Sequence, residues 1–143
     1  MRRATALAQE LGQGRIEAVS AAIEARIAFG TGELPLAETR SAHGWDLVLC
    51  HGAELPDRIV VGGTRALTLR LAKRPLEADR IVKSIEKRIE SDNASLRSVI
   101  MRQRHRRWTT SLLASTLATD GPLYPRLIVD DRGTENQSSG IDG

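Results

Sequence analysis

The stretch "RIVVGGTRALTLRL" (residues 58–71) decides the fold class that the sequence predicts. A Gly-Gly pair stands at its centre, between two runs of apolar and β-branched residues. Two adjacent glycines are typical of a tight hairpin loop, because both can adopt positive φ. After the loop, leucine occupies every second position from 67 to 71, as in a strand with one buried and one solvated face. The pattern therefore predicts an antiparallel β-hairpin.

Two more strands are predicted upstream of this hairpin. The segment "LPLAETR" (34–40) is a weak first strand, and Pro35 places it at the edge of a sheet. The segment "WDLVLC" (45–50) is the second strand. With the hairpin, these strands predict a small antiparallel sheet of three to five strands.

The residues before the sheet predict an amphipathic helix. Ile16, Val19, Ile23 and Ile27 recur at spacings of three and four residues, which marks one helical face. Glycines at positions 30 and 32 are expected to end the helix.

A second helix is predicted from Pro75, a residue that suits the first helical position. Its apolar stripe passes through Ile81, Ile85 and Ile89 and stays in phase as far as Ile100. The polar segment "SDNAS" (91–95) allows either one continuous helix or two helices between residues 75 and 118, and the sequence leaves this open.

The predicted fold is α+β, in which an N-terminal helix and a long or kinked C-terminal helix cover one face of the small sheet. We expect one domain over residues 1–129, where "YPRLIV" (124–129) adds a last strand. Residues 130–143 are polar and rich in Gly and Ser, so we expect a disordered tail. A small sheet with a projecting helix favours self-association, and a homodimer is the expected oligomer.

Charge is distributed unevenly along the chain. The net charge is +3, but residues 64–119 carry thirteen Lys or Arg against five Asp or Glu, a net of +8. Such a segment either faces a polyanion or complements acidic segments of the same fold.

The densest part of this segment is "RQRHRRW" (102–108). Arginine binds phosphate bidentately, so an Arg-rich helix predicts contact with DNA or RNA. A solvated helix surface is the alternative. The expected nucleic-acid-binding residues are Arg97, Arg102, Arg104, Arg106, Arg107, Lys83, Lys87 and Arg88.

A second hypothesis is a protein-interaction or assembly module. Met101, Trp108 and Leu112 form another apolar face of the same helix, and Trp and Arg are frequent anchors of interfaces. The sequence does not decide whether this face packs on its own chain or on a partner.

An enzyme is the least supported class. Cys50 and His51 are adjacent, but neighbours on a strand point to opposite faces and are poorly placed to share a proton. No spacing matches a known zinc pattern, so no catalytic residue, metal or cofactor is expected. One cysteine favours a reducing compartment, and the apolar runs are too short to span a bilayer, so we expect a cytoplasmic protein without a membrane segment.

Overall fold

The computed structural model describes the backbone of residues 2–120 and the side chains of residues 6, 10 and 12–120. Every regular element in this part is an α-helix: α1 (Arg2–Gly30), α2 (Leu34–His51), α3 (Leu55–Leu71), α4 (Pro75–Ala94) and α5 (Val99–Leu117). The predicted α+β fold with an antiparallel sheet is therefore wrong for the part of the chain that the structure describes. Residues 2–120 form a bundle of five helices.

The stretch that predicted the hairpin is the central helix of this bundle. Helix α3 runs through Gly62 and Gly63 without a break and packs against the other four helices. Nearly all of its residues from Ile59 to Leu69 are buried. A helix buried on all sides lacks the polar face that reveals a 3.6-residue period. The alternation of its leucines therefore looked like that of a strand. Its β-branched residues have low helix propensity, but the free energy gained by burying them in the bundle outweighs this preference.

Prolines mark the starts of three helices rather than a sheet edge. Pro35, Pro56 and Pro75 each lie in the first turn of α2, α3 and α4. Proline is favoured there because the first-turn N–H groups have no partner within the helix and its φ is already helical. The predicted strands 34–40 and 45–50 both lie inside α2, so Pro35 begins a helix.

The N-terminal helix and its end are confirmed, but its buried face is unexpected. Helix α1 ends at Gly30, and Gly32 follows with φ of 79°. The helix buries its alanines against the bundle, whereas its isoleucines are exposed; the buried residues are Ala18, Ala21, Ala22, Ala25 and Ala28. Small side chains allow α1 to approach α2 so closely that a Cβ at Gly44 would lie 3.0 Å from the carbonyl oxygen of Ala18.

Residues 75–118 form two helices. The helix predicted from Pro75 is confirmed and ends at Ala94, and α5 begins at Val99. The Ser98 hydroxyl accepts a hydrogen bond from the Met101 N–H at 3.3 Å, which caps the new helix. The predicted strand 124–129 and the predicted disordered tail 130–143 lie outside the described residues.

The bundle closes most tightly where other helices cross the two glycines of α3. A Cβ at Gly62 would lie 2.7 Å from Ile85 Cδ1 and 2.8 Å from Trp45 Cζ3. A Cβ at Gly63 would overlap the side chain of Thr116, whose Cβ would be 2.7 Å away. These distances are shorter than normal packing allows, so α2, α4 and α5 hold their positions because α3 has no side chain at these two points.

The helices described between residues 2 and 120 include none with the length and apolar character needed to cross a membrane.

We predict that Gly63→Ala lowers the free energy of unfolding by about 1–3 kcal/mol, the usual cost of overpacking a core. Intrinsic helix propensity alone would raise it by up to about 1 kcal/mol. Gly12→Ala is the matched control, because this α1 glycine has no heavy atom within 4 Å of the new Cβ. Urea unfolding followed by circular dichroism measures both variants. Equal stability of Gly63→Ala and the natural protein would contradict the packing at α3.

Candidate nucleic-acid interface

The turn between α4 and α5 is held by one arginine of the basic segment. Arg102 Nη1 donates to the carbonyl oxygens of Leu96 at 2.7 Å and Arg97 at 3.1 Å. These bonds fold the connection from residue 95 to residue 98 back onto the first turns of α5. Arg102 is half-buried, and its guanidinium bonds to the backbone of the turn.

A buried asparagine joins the same two helices. The Asn93 amide, oriented to satisfy its neighbours, donates to the carbonyl oxygen of Arg102 at 2.9 Å. Its oxygen accepts from Arg106 Nη2 at 2.9 Å. Arg106 as a whole residue is exposed, so it belongs both to the helix junction and to the surface.

The remaining arginines of this region face solvent. Arg97 lies in the connection, and Arg104 and Arg107 lie about one turn apart on the outer side of α5, opposite the buried Thr109. Among the described residues, the ion pairs of the structure include no arginine of α5. Arg104 and Arg107 therefore present positive charge that forms no ion pair with a described carboxylate.

The basic residues of α3 and its C-terminal connection behave differently. Arg74 pairs with Glu38 of α2 at 3.0 Å and with Glu77 of α4 at 2.6 Å, and its hydrogen bond to Glu77 raises its pKa. Arg70 pairs with Asp79 at 3.7 Å. Part of the positive charge of residues 64–119 is thus balanced within the fold.

The predicted residues of α4 do not extend the α5 surface. Lys83 and Lys87 are exposed on the side of α4 away from the core. The cleft between α4 and α5, of about 410 Å³, is lined by the carboxylates of Glu86 and Glu90 together with Arg106. These carboxylates interrupt the positive surface between the two helices.

Arg88 lies on the opposite flank of α4, where Arg88 Nε donates to Asp92 Oδ1 at 3.2 Å. Burial lowers the pKa of nearby Arg58, and the charge of Arg88 lowers it further. Arg88 is therefore paired and separate from the exposed arginines of α5.

The predicted partner-binding face divides between the interior and the surface. Leu112 is fully buried in its own chain, and Trp108 packs against the same core. Met101 is 55% exposed and stands beside Val99 (59%) and Ile100 (63%). Val99, Ile100 and Met101 form an exposed aliphatic triplet at the start of α5.

Val99 and Ile100 were expected to continue the core stripe of α4. They do not, because α4 has ended and a new helix begins after Ser98. The faces of α5 are therefore not in line with the apolar stripe of α4. Ser98 was the sequence signal for the start of α5, because serine is a favoured N-cap residue.

The residues considered for enzymatic chemistry do not converge. Cys50 and His51 are exposed at the end of α2. Asp57 is buried in the first turn of α3, where Arg15 donates to its carboxylate from Nε and Nη2. His43 is exposed on α2, with its Nε2 2.9 Å from Glu17 Oε1 of α1. Within the described residues, no three His, Cys, Asp or Glu side chains are grouped so that they could hold a metal ion.

No protein-family model, curated protein or solved structure matches this chain.

We predict that Arg102→Met lowers the free energy of unfolding by about 1–2 kcal/mol, because it removes charge-assisted hydrogen bonds to two carbonyl groups. Arg104→Met is the matched control and should change stability by less than about 0.5 kcal/mol, as expected of an exposed side chain without a structural contact. Thermal unfolding of both variants measures the difference. A larger loss for Arg104→Met than for Arg102→Met would contradict the assignment of Arg102 to the turn.

Proposed function

We propose that this protein binds the phosphate backbone of nucleic acid through the exposed arginines of α5 and the α4–α5 connection. The observation that carries the proposal is the contrast within the basic segment. Arg70 and Arg74 are matched by carboxylates of α2 and α4, whereas Arg104 and Arg107 face solvent without such a match among the described residues.

The geometry favours backbone contacts over base stacking. Trp45 is buried and Trp108 is partly buried against the core, so the described surface offers limited aromatic area on which an unpaired base could stack. Arginines on a helix surface suit phosphate oxygens, which they can bind bidentately. Duplex DNA or RNA is therefore the expected ligand, and contacts to phosphate alone carry no sequence information.

The binding surface consists of Arg97, Arg104 and Arg107, with a part of Arg106. Arg102 supports this surface by fixing the connection that carries Arg97. Lys83 and Lys87 lie beyond the carboxylates of Glu86 and Glu90, so they contribute less than the sequence alone indicates.

We predict steep salt dependence for duplex binding. If three phosphates are contacted, the affinity falls roughly 40-fold between 50 and 200 mM salt, because each contact adds about −0.9 to the logarithmic slope. Fluorescence anisotropy with a labelled duplex measures the slope.

The triple variant Arg97→Ala, Arg104→Ala, Arg107→Ala should remove most of this binding and flatten the salt dependence. The charge-matched control is Arg80→Ala, Lys83→Ala, Lys87→Ala, which removes three exposed cations from α4. Equal losses of affinity in the two triple variants would show that binding depends only on the net charge of the protein. An unchanged affinity in the α5 variant would refute the proposal.

The exposed aliphatic triplet supports a second candidate function, the docking of a protein partner. Val99, Ile100 and Met101 present three adjacent aliphatic side chains at the tip of the α4–α5 hairpin, and contiguous apolar surface of this kind is typical of interaction sites. Leu112 is fully buried and supports the helix from inside, whereas Trp108 is partly buried.

We predict that a photoreactive analogue at Met101 cross-links to such a partner and that Ile100→Asp prevents the cross-link. Leu76→Asp is the control, since Leu76 is a single exposed aliphatic residue on α4. A cross-link that survives Ile100→Asp, or that nuclease treatment removes, would exclude the triplet as a protein-docking site. The homodimer expected from the sequence stays a prediction, which light scattering tests.

A further inference from the structure

A cleft lies where the start of α3 meets the C-terminal half of α4 and the middle of α5. Its volume is about 420 Å³, within the range of about 300–1,000 Å³ that is usual for small-molecule sites. Its walls include Leu55 of α3, Arg88 and Asp92 of α4, and His105 and Trp108 of α5. Polar groups that converge on a partly apolar cleft of this size are typical of a ligand site.

Arg58 brings a second guanidinium to the edge of this cleft. It projects from α3 between the directions of Glu54 and Leu55, which both line the cleft. It lies one turn beyond them, and its N–H donates to the carbonyl oxygen of Glu54 at 2.9 Å. The Nε of this half-buried side chain is buried and bonds to no described atom. Burial lowers the pKa of Arg58, and the positive charge of nearby Arg88 lowers it further.

The other half-buried arginine of α3 has the compensation that Arg58 lacks. Burial also lowers the pKa of Arg65, but three carboxylates oppose that change. They belong to Glu38, Asp46 and Glu77. For Arg58, no described carboxylate has such an effect. A buried charge without an opposite charge is costly, so an anion beside Arg58 would stabilise the folded protein.

A histidine and a tryptophan of α5 add a hydrogen-bonding group and an apolar wall. His105 Nδ1 is buried and, like Arg58 Nε, has no hydrogen-bond partner among the described residues. In its Nδ1–H tautomer the imidazole is a donor, so both atoms can donate to one acceptor group. Buried donors without acceptors are rare in folded proteins, which favours an acceptor supplied by a ligand. Trp108 is partly buried and lines the cleft together with Leu55 and Pro56.

Two carboxylates limit the charge that this ligand can carry. Asp92 Oδ1 accepts from Arg88 Nε at 3.2 Å, and the Nη groups of Arg88 remain for another acceptor. Glu54 is exposed at the start of α3 and also lines the cleft. Both carboxylates repel a second negative charge, so a singly charged anion suits the cleft better than a phosphate monoester, which carries nearly two charges.

We propose that this cleft binds a small aromatic carboxylate. The carboxylate oxygens accept hydrogen bonds from Arg58, Arg88 and His105, because guanidinium and carboxylate form strong charge-assisted pairs. The ring packs against Trp108 and Pro56, where contact between ring planes adds to the burial of apolar surface. This site is separate from the outward-facing arginines of α5, so it adds a small-molecule ligand to the proposed contact with nucleic acid.

Titration of the isotope-labelled full chain with benzoate tests the proposal, and the two indole N–H signals in the NMR spectrum report binding. We expect the Trp108 signal, assigned with Trp108→Phe, to shift until saturation. The Trp45 signal should stay in place, because Trp45 is buried beside Gly62 in the core. Benzamide has the same ring without the charge and should bind at least about tenfold more weakly, since it cannot form the charge-assisted bonds.

Substitution of the two guanidiniums tests their assignment. Arg58→Met keeps an apolar stem and should weaken benzoate binding at least about tenfold, with the affinity for benzamide unchanged. Arg80→Met is the matched control, an exposed arginine of α4, and should leave both affinities unchanged. Arg88→Met alters a side chain that is 42% exposed and should weaken benzoate binding about threefold. If circular dichroism shows that Arg58→Met is unfolded, Arg88→Met decides alone.

Four results would overturn the proposal. An unchanged Trp108 signal would show that the cleft is not a site for this class of ligand. Benzamide binding as tight as that of benzoate would show that the cleft recognises only the ring. Unchanged benzoate affinity in the folded arginine variants would exclude the guanidiniums from the site. Tighter binding of phenyl phosphate than of benzoate would show that the cleft is a phosphate site.

Duplex affinity of Arg58→Met separates this proposal from the nucleic-acid contact. It should equal that of the natural protein, because Arg104 and Arg107 are unaltered. Loss of benzoate binding with retained duplex binding is therefore the expected pair of results. A parallel loss of both would show that the cleft and the surface of α5 form a single nucleic-acid site, which would overturn the assignment of a separate ligand.

Discussion

The close approach of three helices to Gly62 and Gly63 is the contact on which the bundle depends. Trp45 and Ile85 occupy the space beside the first glycine, and Thr116 occupies the space beside the second. Helices α2, α4 and α5 are therefore fixed against α3 at neighbouring positions. Thr116 holds the C-terminal half of α5 against α3. The N-terminal half of α5 continues from there to the α4–α5 connection. The two glycines thus set how closely α5, the helix that carries Arg104 and Arg107, packs on the central helix.

The sequence predicted those helices that keep a polar face. Helix α4 alternates a narrow apolar stripe with charged residues, and Pro75 marks its start, so its position could be inferred. The end of α1 was also predictable, because glycines follow its last turn. Helix α3 could not be predicted in this way. It is buried on all sides, and a buried helix with a Gly pair and alternating leucines has the same pattern as a hairpin.

The candidate site was predictable as a segment but not residue by residue. Composition identified residues 97–107 as basic, yet the separate roles of their arginines depend on the break at Ser98 and on the partners that the fold supplies. Arg102 bonds to backbone carbonyls and Arg106 to Asn93, while Arg104 faces solvent. Such distinctions arise from contacts between residues on different helices, and a one-dimensional charge pattern cannot contain them.

Helix α1 shows why apolar periodicity alone does not identify a buried face. Its alanines and its isoleucines both recur at helical spacing, and the bulkier residues were expected to mark the core side. The structure buries the alanines because a close helix pair gains many dispersion contacts, and a large side chain would hold α1 away from α2 at Gly44. The isoleucines then remain as a second, outward apolar face. Small residues thus set the distance between helices inside the bundle, and the large aliphatic residues of α1 lie on its outer surface.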